Sequence, residues 1–131
     1  MLDEVRKDLI ASFLLTKSHL TEAQLDTILA DKASGDLNRK AELRDRGKVS
    51  KGAFVRTLRQ GQANIESSVY TMYLLAYLGL VSAETISQVV RTASMLTQVR
   101  GASPEKDVSL KLIDAMQDFA GKLSGKRRFM T

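Results

Sequence analysis

Apolar residues recur every three or four positions along most of the chain, which is the period of amphipathic α-helices. The first such stripe runs from Asp3 to about Lys17, a second follows Thr21, and a third begins after Ser50 with Phe54 and Leu58. No segment alternates apolar and polar residues over the length of a strand. The pattern therefore predicts an all-α protein of about five to seven helices.

Residues at the ends of these stripes predict where the helices start and stop. The run from Thr21 to Gln24 has the form of a capping box, and Ser50 and Ser82 are placed to cap the helices that follow them. Gly47 is free to take a positive φ, and we expect it to end a short helix from about residue 37 to 46. Residues 51–78 form either one helix or two.

The C-terminal third predicts two further helices. One begins after Ser82 and stops at Gly101, and the next begins at Ser103 and Pro104, a cap followed by a proline suited to the first helical position. The last helix carries a long apolar stripe: Val108, Leu112, Ala115, Met116, Phe119 and Leu123.

These two C-terminal stripes have more apolar length than a small trihelical core covers, so we expect a homodimer through residues 83–123. The alternative is that the helices only cap the core of a monomer. Tyr70, Tyr73 and Tyr77 recur at helical spacing and are expected at the edge of the core or in an interface, with stacking on bases as the alternative.

Composition removes several classes of function. The chain has no cysteine and one histidine, His19, and it carries neither of the glycine-rich phosphate-loop motifs. No nucleophile is paired with a base, so we expect no enzyme, no cofactor and no metal site. The first residues do not form a signal peptide, and the longest apolar run is about half of the ~20 residues that cross a membrane. We expect a cytoplasmic, nucleoid-associated protein that does not bind membranes.

Positive charge is concentrated in two stretches. Residues 36–62 hold eight cations and three acids, and residues 121–131 hold four cations and no acid. The remaining residues are balanced or slightly acidic, and the whole chain has a net charge of +5. Clustered Lys and Arg gain affinity for phosphate backbones through the release of counterions. A solvated face without a partner is the alternative interpretation.

Residues 39–60 contain the parts of a helix-turn-helix corner. Gly47 supplies the turn and Val49 fills it, while Phe54, Thr57 and Leu58 anchor the second helix. The outward positions and the flanking cations are the predicted DNA contacts, with Gly52 allowing the backbone to come close to phosphate. They are Arg39, Lys40, Arg44, Arg46, Lys48, Ser50, Lys51, Gly52, Arg56 and Arg59.

Parts of the chain between residues 20 and 71 resemble a known family. The runs LTEAQLDTIL (20–29) and RGKVSKGAFVRTLRQGQANI (46–65), with Gly35 and the stretch 67–71, resemble archaeal Tfx-type DNA-binding proteins. Those proteins are similar to the helix-turn-helix of sigma factor region four. The resemblance implies a trihelical helix-turn-helix core and places residues 50–59 where the recognition helix of that family meets DNA.

These observations predict a double-stranded DNA-binding protein, most simply a helix-turn-helix transcription regulator with helix 50–60 in the major groove. Residues 1–81 would form the DNA-binding region, 82–123 the helical dimerisation region, and 124–131 a basic tail that includes Lys126, Arg127 and Arg128. The alternative is a helical protein-interaction module, an adaptor or an assembly subunit, whose basic stripe binds an acidic partner. RNA binding is a third possibility, although no aromatic platform or clamp typical of RNA-binding modules is visible.

Overall fold

A computed structural model describes residues 1–35, 37–100 and 104–126, and this part of the chain is helical without a strand. The all-α prediction is therefore confirmed, and the number of helices agrees with it. The seven helices are α1 (Leu2–Lys7), α2 (Leu9–Lys17), α3 (Glu22–Ala33), α4 (Leu37–Glu42), α5 (Lys51–Tyr77), α6 (Ala83–Val99) and α7 (Lys106–Ser124).

The predicted helix caps are present. The Thr21 hydroxyl accepts the Gln24 backbone N–H at 3.1 Å, and the Gln24 side chain accepts the Thr21 N–H in return at 3.1 Å. Ser50 accepts the Ala53 N–H at 3.2 Å, and Ser82 accepts the Thr85 N–H at 3.1 Å. Each cap satisfies an amide that has no partner within its own helix, so the starts of α3, α5 and α6 are set locally.

The N-terminal helix differs from the prediction because it is broken in two. Asp8 has extended backbone angles (φ −83°, ψ 123°), and its carboxylate accepts the Ala11 N–H at 2.8 Å. Asp8 therefore caps α2 and ends α1. By contrast, residues 51–77 form one uninterrupted helix, which resolves the alternative left open for this segment.

The connection between α4 and α5 is longer than predicted. α4 ends at Glu42 rather than near residue 46, and residues 43–50 connect it to α5. Gly47 does adopt the predicted positive φ, 113°, but it lies inside this connection rather than at the end of α4. Helix-turn-helix turns typically have three or four residues, so the tight corner predicted at Gly47 is replaced by an extended loop.

The structure divides into two compact units, one from Met1 to Tyr70 and one from Thr71 onward. This division falls within α5, whereas the sequence places a boundary after residue 81. The core of the first unit is formed by Ala30, Ala41 and Phe54, which are 0%, 3% and 0% exposed. Leu43, Val49 and Leu58 pack against them, as the sequence predicts for Val49 and Leu58. This core holds the first half of α5 against α3 and α4.

A buried carboxylate fixes the loop that leads into α5. Asp26 of α3 is fully buried and accepts the backbone N–H groups of Asp45 at 2.9 Å and Arg46 at 2.8 Å. The Nε of Arg44 lies 3.7 Å from the same carboxylate, and the Arg44 side chain is 9% exposed. The loop backbone and its own cation thus compensate a charge that burial would otherwise make very costly.

In the second unit, α6 packs against α7. Leu112 is buried as expected, and so are Thr92 and Ser109, while the apolar Val90 is 56% exposed. Thr92 is tolerated inside because its hydroxyl donates to the Gln88 carbonyl at 2.9 Å. The predicted roles of Gly101, Ser103, Arg127 and Arg128 lie outside the described residues.

The described helices include none with the length and apolar character that a membrane span requires.

We expect Asp26→Asn to destabilise the first unit by about 3 kcal/mol, since it removes the charge opposite Arg44 and one acceptor for the loop amides. Urea unfolding measures the change. Asp3→Asn is the matched control, because Asp3 is 74% exposed and an exposed acid contributes little. Equal stabilities for the two variants would contradict the role given to Asp26.

A second prediction concerns the loss of folding stability at low pH. Arg6 donates to both carboxylate oxygens of Glu22, at 3.1 and 2.8 Å, and this hydrogen bonding lowers the pKa of Glu22 below its usual 4.5. The stabilisation is complete above that usual value and is lost as pH falls through the lowered pKa. Glu22→Gln should therefore lose less stability than the wild type between neutral pH and about pH 3. Glu66→Gln, which changes an exposed acid, should behave like the wild type.

Candidate nucleic-acid interface

The first half of α5 has two clearly different faces. Phe54, Leu58 and Gly61 lie on the inner face against the first unit's core, with Phe54 and Gly61 buried. The outer face lines a shallow, open concavity of about 680 Å³, formed by Lys51, Gly52, Val55, Arg56, Arg59, Gln60 and Ala63. The predicted outward side chains at positions 51, 56 and 59 are exposed in the structure. Spacings of three and four residues place each set on one side of the helix.

Two residues that the sequence analysis did not select bring α5 onto α3. A Cβ at Gly61 would lie 3.0 Å from Cδ1 of Ile28 and 3.3 Å from Cβ of Gln24, so the two helices approach closely at this glycine. The Asn64 amide donates to the His19 carbonyl at 3.1 Å and to the Gln24 side chain at 3.0 Å. A glycine at an inner position of an otherwise regular helix is the sequence signal that could have indicated this contact.

The charge of this region is entirely positive over a long stretch. From Arg46 to Ile65 the sequence holds five cations and no acid. Lys51, Arg56 and Arg59 are exposed and form no salt bridge with any described residue. The outer face of α5 therefore presents three cations along about 12 Å of helix, without an acid on the same helical segment to neutralise them.

Four of the other predicted contacts are exposed in the structure. Arg39 and Arg46 are exposed, and Arg46 uses only its backbone N–H to bind Asp26. The Lys48 ammonium lies 3.7 Å from Glu42, but its side chain is 75% exposed, so the pair is weak and readily exchanged for another anion. Ser50 is exposed, and its hydroxyl serves as the cap of α5.

Two predicted contacts have structural partners instead. The Arg44 side chain is 9% exposed beside Asp26, and its Nε is buried without a hydrogen-bond partner among the described residues. Its contact with phosphate stays a prediction, for which this cation offers little exposed surface. The Lys40 ammonium donates to Asp31 at 2.7 Å, with both side chains about one-fifth exposed. Sequence could not reveal either pairing, because both depend on how α3 packs against the segment that follows it.

No group of three or more His, Asp or Glu residues in the described part of the chain is arranged to hold a metal ion. Comparisons with protein-family models, with curated proteins and with solved structures find no significant match to this chain. The resemblance to Tfx-type proteins therefore stays an expectation from the sequence, and the argument for function depends on the surface of α5.

The glycines of α5 give a test of how the interface is positioned. Gly61→Leu should destabilise the first unit by about 1–3 kcal/mol, because the larger side chain has to displace Ile28 or Gln24. Gly52→Ala is the control within the same helix: nothing lies within 4 Å of its added Cβ, so it should stabilise α5 by about 0.5–1 kcal/mol. Thermal unfolding of both variants measures the difference, and destabilisation by Gly52→Ala would contradict the assignment of an open outer face.

Proposed function

We propose that this protein binds double-stranded DNA with the outer face of the first half of α5, as a transcription regulator or a related nucleoid-associated protein. The single observation that carries the proposal is the exposed row of Lys51, Arg56 and Arg59 on a rigidly held helix, in a stretch of sequence without acids. Counterion release from DNA rewards this arrangement.

The dimensions of the outer face of α5 are suited to the major groove of double-stranded DNA. An α-helix enters the major groove of B-DNA, which is about 12 Å wide, and arginine is the side chain that pairs most often with guanine there. Gly52 and Ala63 are among the residues that line the concavity, and their small size leaves little side-chain bulk between the helix backbone and a groove wall. Arg56 and Arg59 are assigned to base edges, and Arg39, Arg46 and Lys48 to phosphates.

The connection between α4 and α5 differs from that of a standard helix-turn-helix, which changes how α5 would be oriented on DNA. With residues 43–50 between α4 and α5, the orientation of α5 depends on the Asp26 carboxylate and on Gly61 rather than on a tight glycine turn. The proposal accordingly assigns DNA binding to α5 without requiring α4 to act as the first helix of a standard helix-turn-helix.

A homodimer is part of this proposal, as expected for proteins that read two successive grooves. The predicted interface, residues 83–123, does leave Val90, Met95, Val108 and Leu110 between 45% and 56% exposed. These residues are divided between α6 and α7, and the second half of α5 exposes larger apolar side chains.

Fluorescence anisotropy with a labelled duplex tests DNA binding directly. Arg56→Ala and Arg59→Ala should each cost about 1–3 kcal/mol of binding free energy on a preferred sequence and should reduce discrimination between sequences. Arg91→Ala, which removes an exposed arginine from α6, is the matched control and should bind as the wild type does.

Arg39→Ala separates base contacts from phosphate contacts in the same assay. It should weaken binding to all duplexes similarly and reduce the slope of log K against log salt by about 1. If the wild type binds no duplex at micromolar concentration and low salt, the DNA proposal fails. Binding to an acidic polypeptide under those conditions would then favour the protein-interaction alternative.

A further inference from the structure

The second half of α5 exposes large apolar side chains on one side. Tyr70 and Tyr77 are seven residues apart, which is two helical turns, and Tyr73 and Leu74 lie between them on that side. We call the set the aromatic face. Its members, with the leucines of the turn that follows the helix, are Tyr70 (68% exposed), Tyr73 (64%), Leu74 (57%), Tyr77 (89%), Leu78 (58%) and Leu80 (65%).

The turn at the end of α5 keeps its two leucines next to the helix. Gly79 has a φ of 72°, and the Leu80 N–H donates to the Leu75 carbonyl at 2.9 Å while the Gly79 N–H donates to Ala76 at 3.1 Å. This is the hydrogen-bonding pattern of a Schellman motif, which folds the chain back over the last helical turn. The aromatic face therefore extends past Tyr77.

The exposed area of this face is large enough for an interface. The three tyrosines and three leucines together expose roughly 600 Å² of side chain. This is the upper end of the largest apolar patches found on monomers, about 300–600 Å². Two such faces paired with each other would bury up to roughly 1,200 Å², which is where specific protein interfaces begin.

Charge identifies the partner. From Ser67 to Ala83 the sequence contains no charged residue. This stretch of α5 and the turn after it therefore contributes no charge of its own to the aromatic face, which favours a partner that is itself apolar and uncharged. A second copy of the same face meets this requirement, because a two-fold interface brings identical patches together and here no like charges would meet.

We infer that this protein forms a homodimer in which the aromatic faces of two copies pack against each other, replacing the interface that the sequence placed in residues 83–123. Only the use of this dimer for DNA binding rests on the proposed function.

Sedimentation equilibrium of the full chain tests the dimer. At tens of micromolar we expect a species of twice 14.5 kDa. The double variant Tyr73→Gln/Tyr77→Gln keeps the net charge and helix propensity, and it should raise the dimer dissociation constant about 100-fold or more. Val90→Gln/Leu110→Gln is the matched control on α6 and α7 and should stay dimeric. Circular dichroism confirms that each variant is folded, and Leu80→Gln provides a second variant of the face.

Disulfide cross-linking tests the same face, since the chain has no cysteine of its own. If the aromatic faces pair, Leu74→Cys should cross-link to its copy faster than Val90→Cys on α6, because a disulfide requires Cα atoms within about 7 Å. The reverse order would overturn the interface.

The proposed dimer and the proposed DNA binding can be contradicted independently of each other. The interface is overturned if the wild type stays at 14.5 kDa. It is also overturned if Val90→Gln/Leu110→Gln dissociates the dimer and Tyr73→Gln/Tyr77→Gln does not. Neither outcome depends on what the protein binds. If the dimer forms, Tyr73→Gln/Tyr77→Gln should bind a duplex of about one turn like the wild type and a longer duplex about tenfold more weakly, because it loses the second contact. A wild-type dimer that binds no duplex overturns the proposed function and leaves the interface standing.

Discussion

The first unit depends on one buried negative charge. A carboxylate without exposed surface is tolerated only when its lone pairs and its charge are matched, and the loop between α4 and α5 supplies both requirements to Asp26. Its amides and Arg44 can reach the carboxylate in few conformations. The same contact that satisfies Asp26 therefore decides where the chain enters α5, and it converts a loop of eight residues, 43–50, into a defined support for the long helix.

Features encoded within a few residues could be predicted from the sequence. The caps at Thr21, Ser50 and Ser82, the inner position of Phe54 and the outer positions of Arg56 and Arg59 depend on spacing along one helix. The break at Asp8 was missed although its cause is local, since an aspartate within an apolar stripe is equally compatible with a solvated helix position. Local chemistry can thus be read with some ambiguity from sequence alone.

Features that require two distant segments could not be predicted. The burial of Arg44 follows from Asp26, which precedes it by 18 residues, and the close packing at Gly61 follows from Ile28. For the same reason the candidate interface was predicted in part: its exposed cations follow from helical periodicity, but the separation of Arg44 and Lys40 from the remaining cations follows from tertiary pairing. The exposure of the tyrosines, by contrast, depends on how the other segments of the chain pack, which helical periodicity alone does not predict.

Because α5 is a single helix, its surfaces can change independently along its length. A substitution among the outer residues at 51–63 alters the charge of that surface and leaves the backbone hydrogen bonds of the helix unchanged. Under the two proposals above, lineages carrying this chain could therefore vary the molecule it recognises while keeping its mode of association, or the reverse. One uninterrupted helix would then carry two separately evolvable specificities without a second domain to maintain.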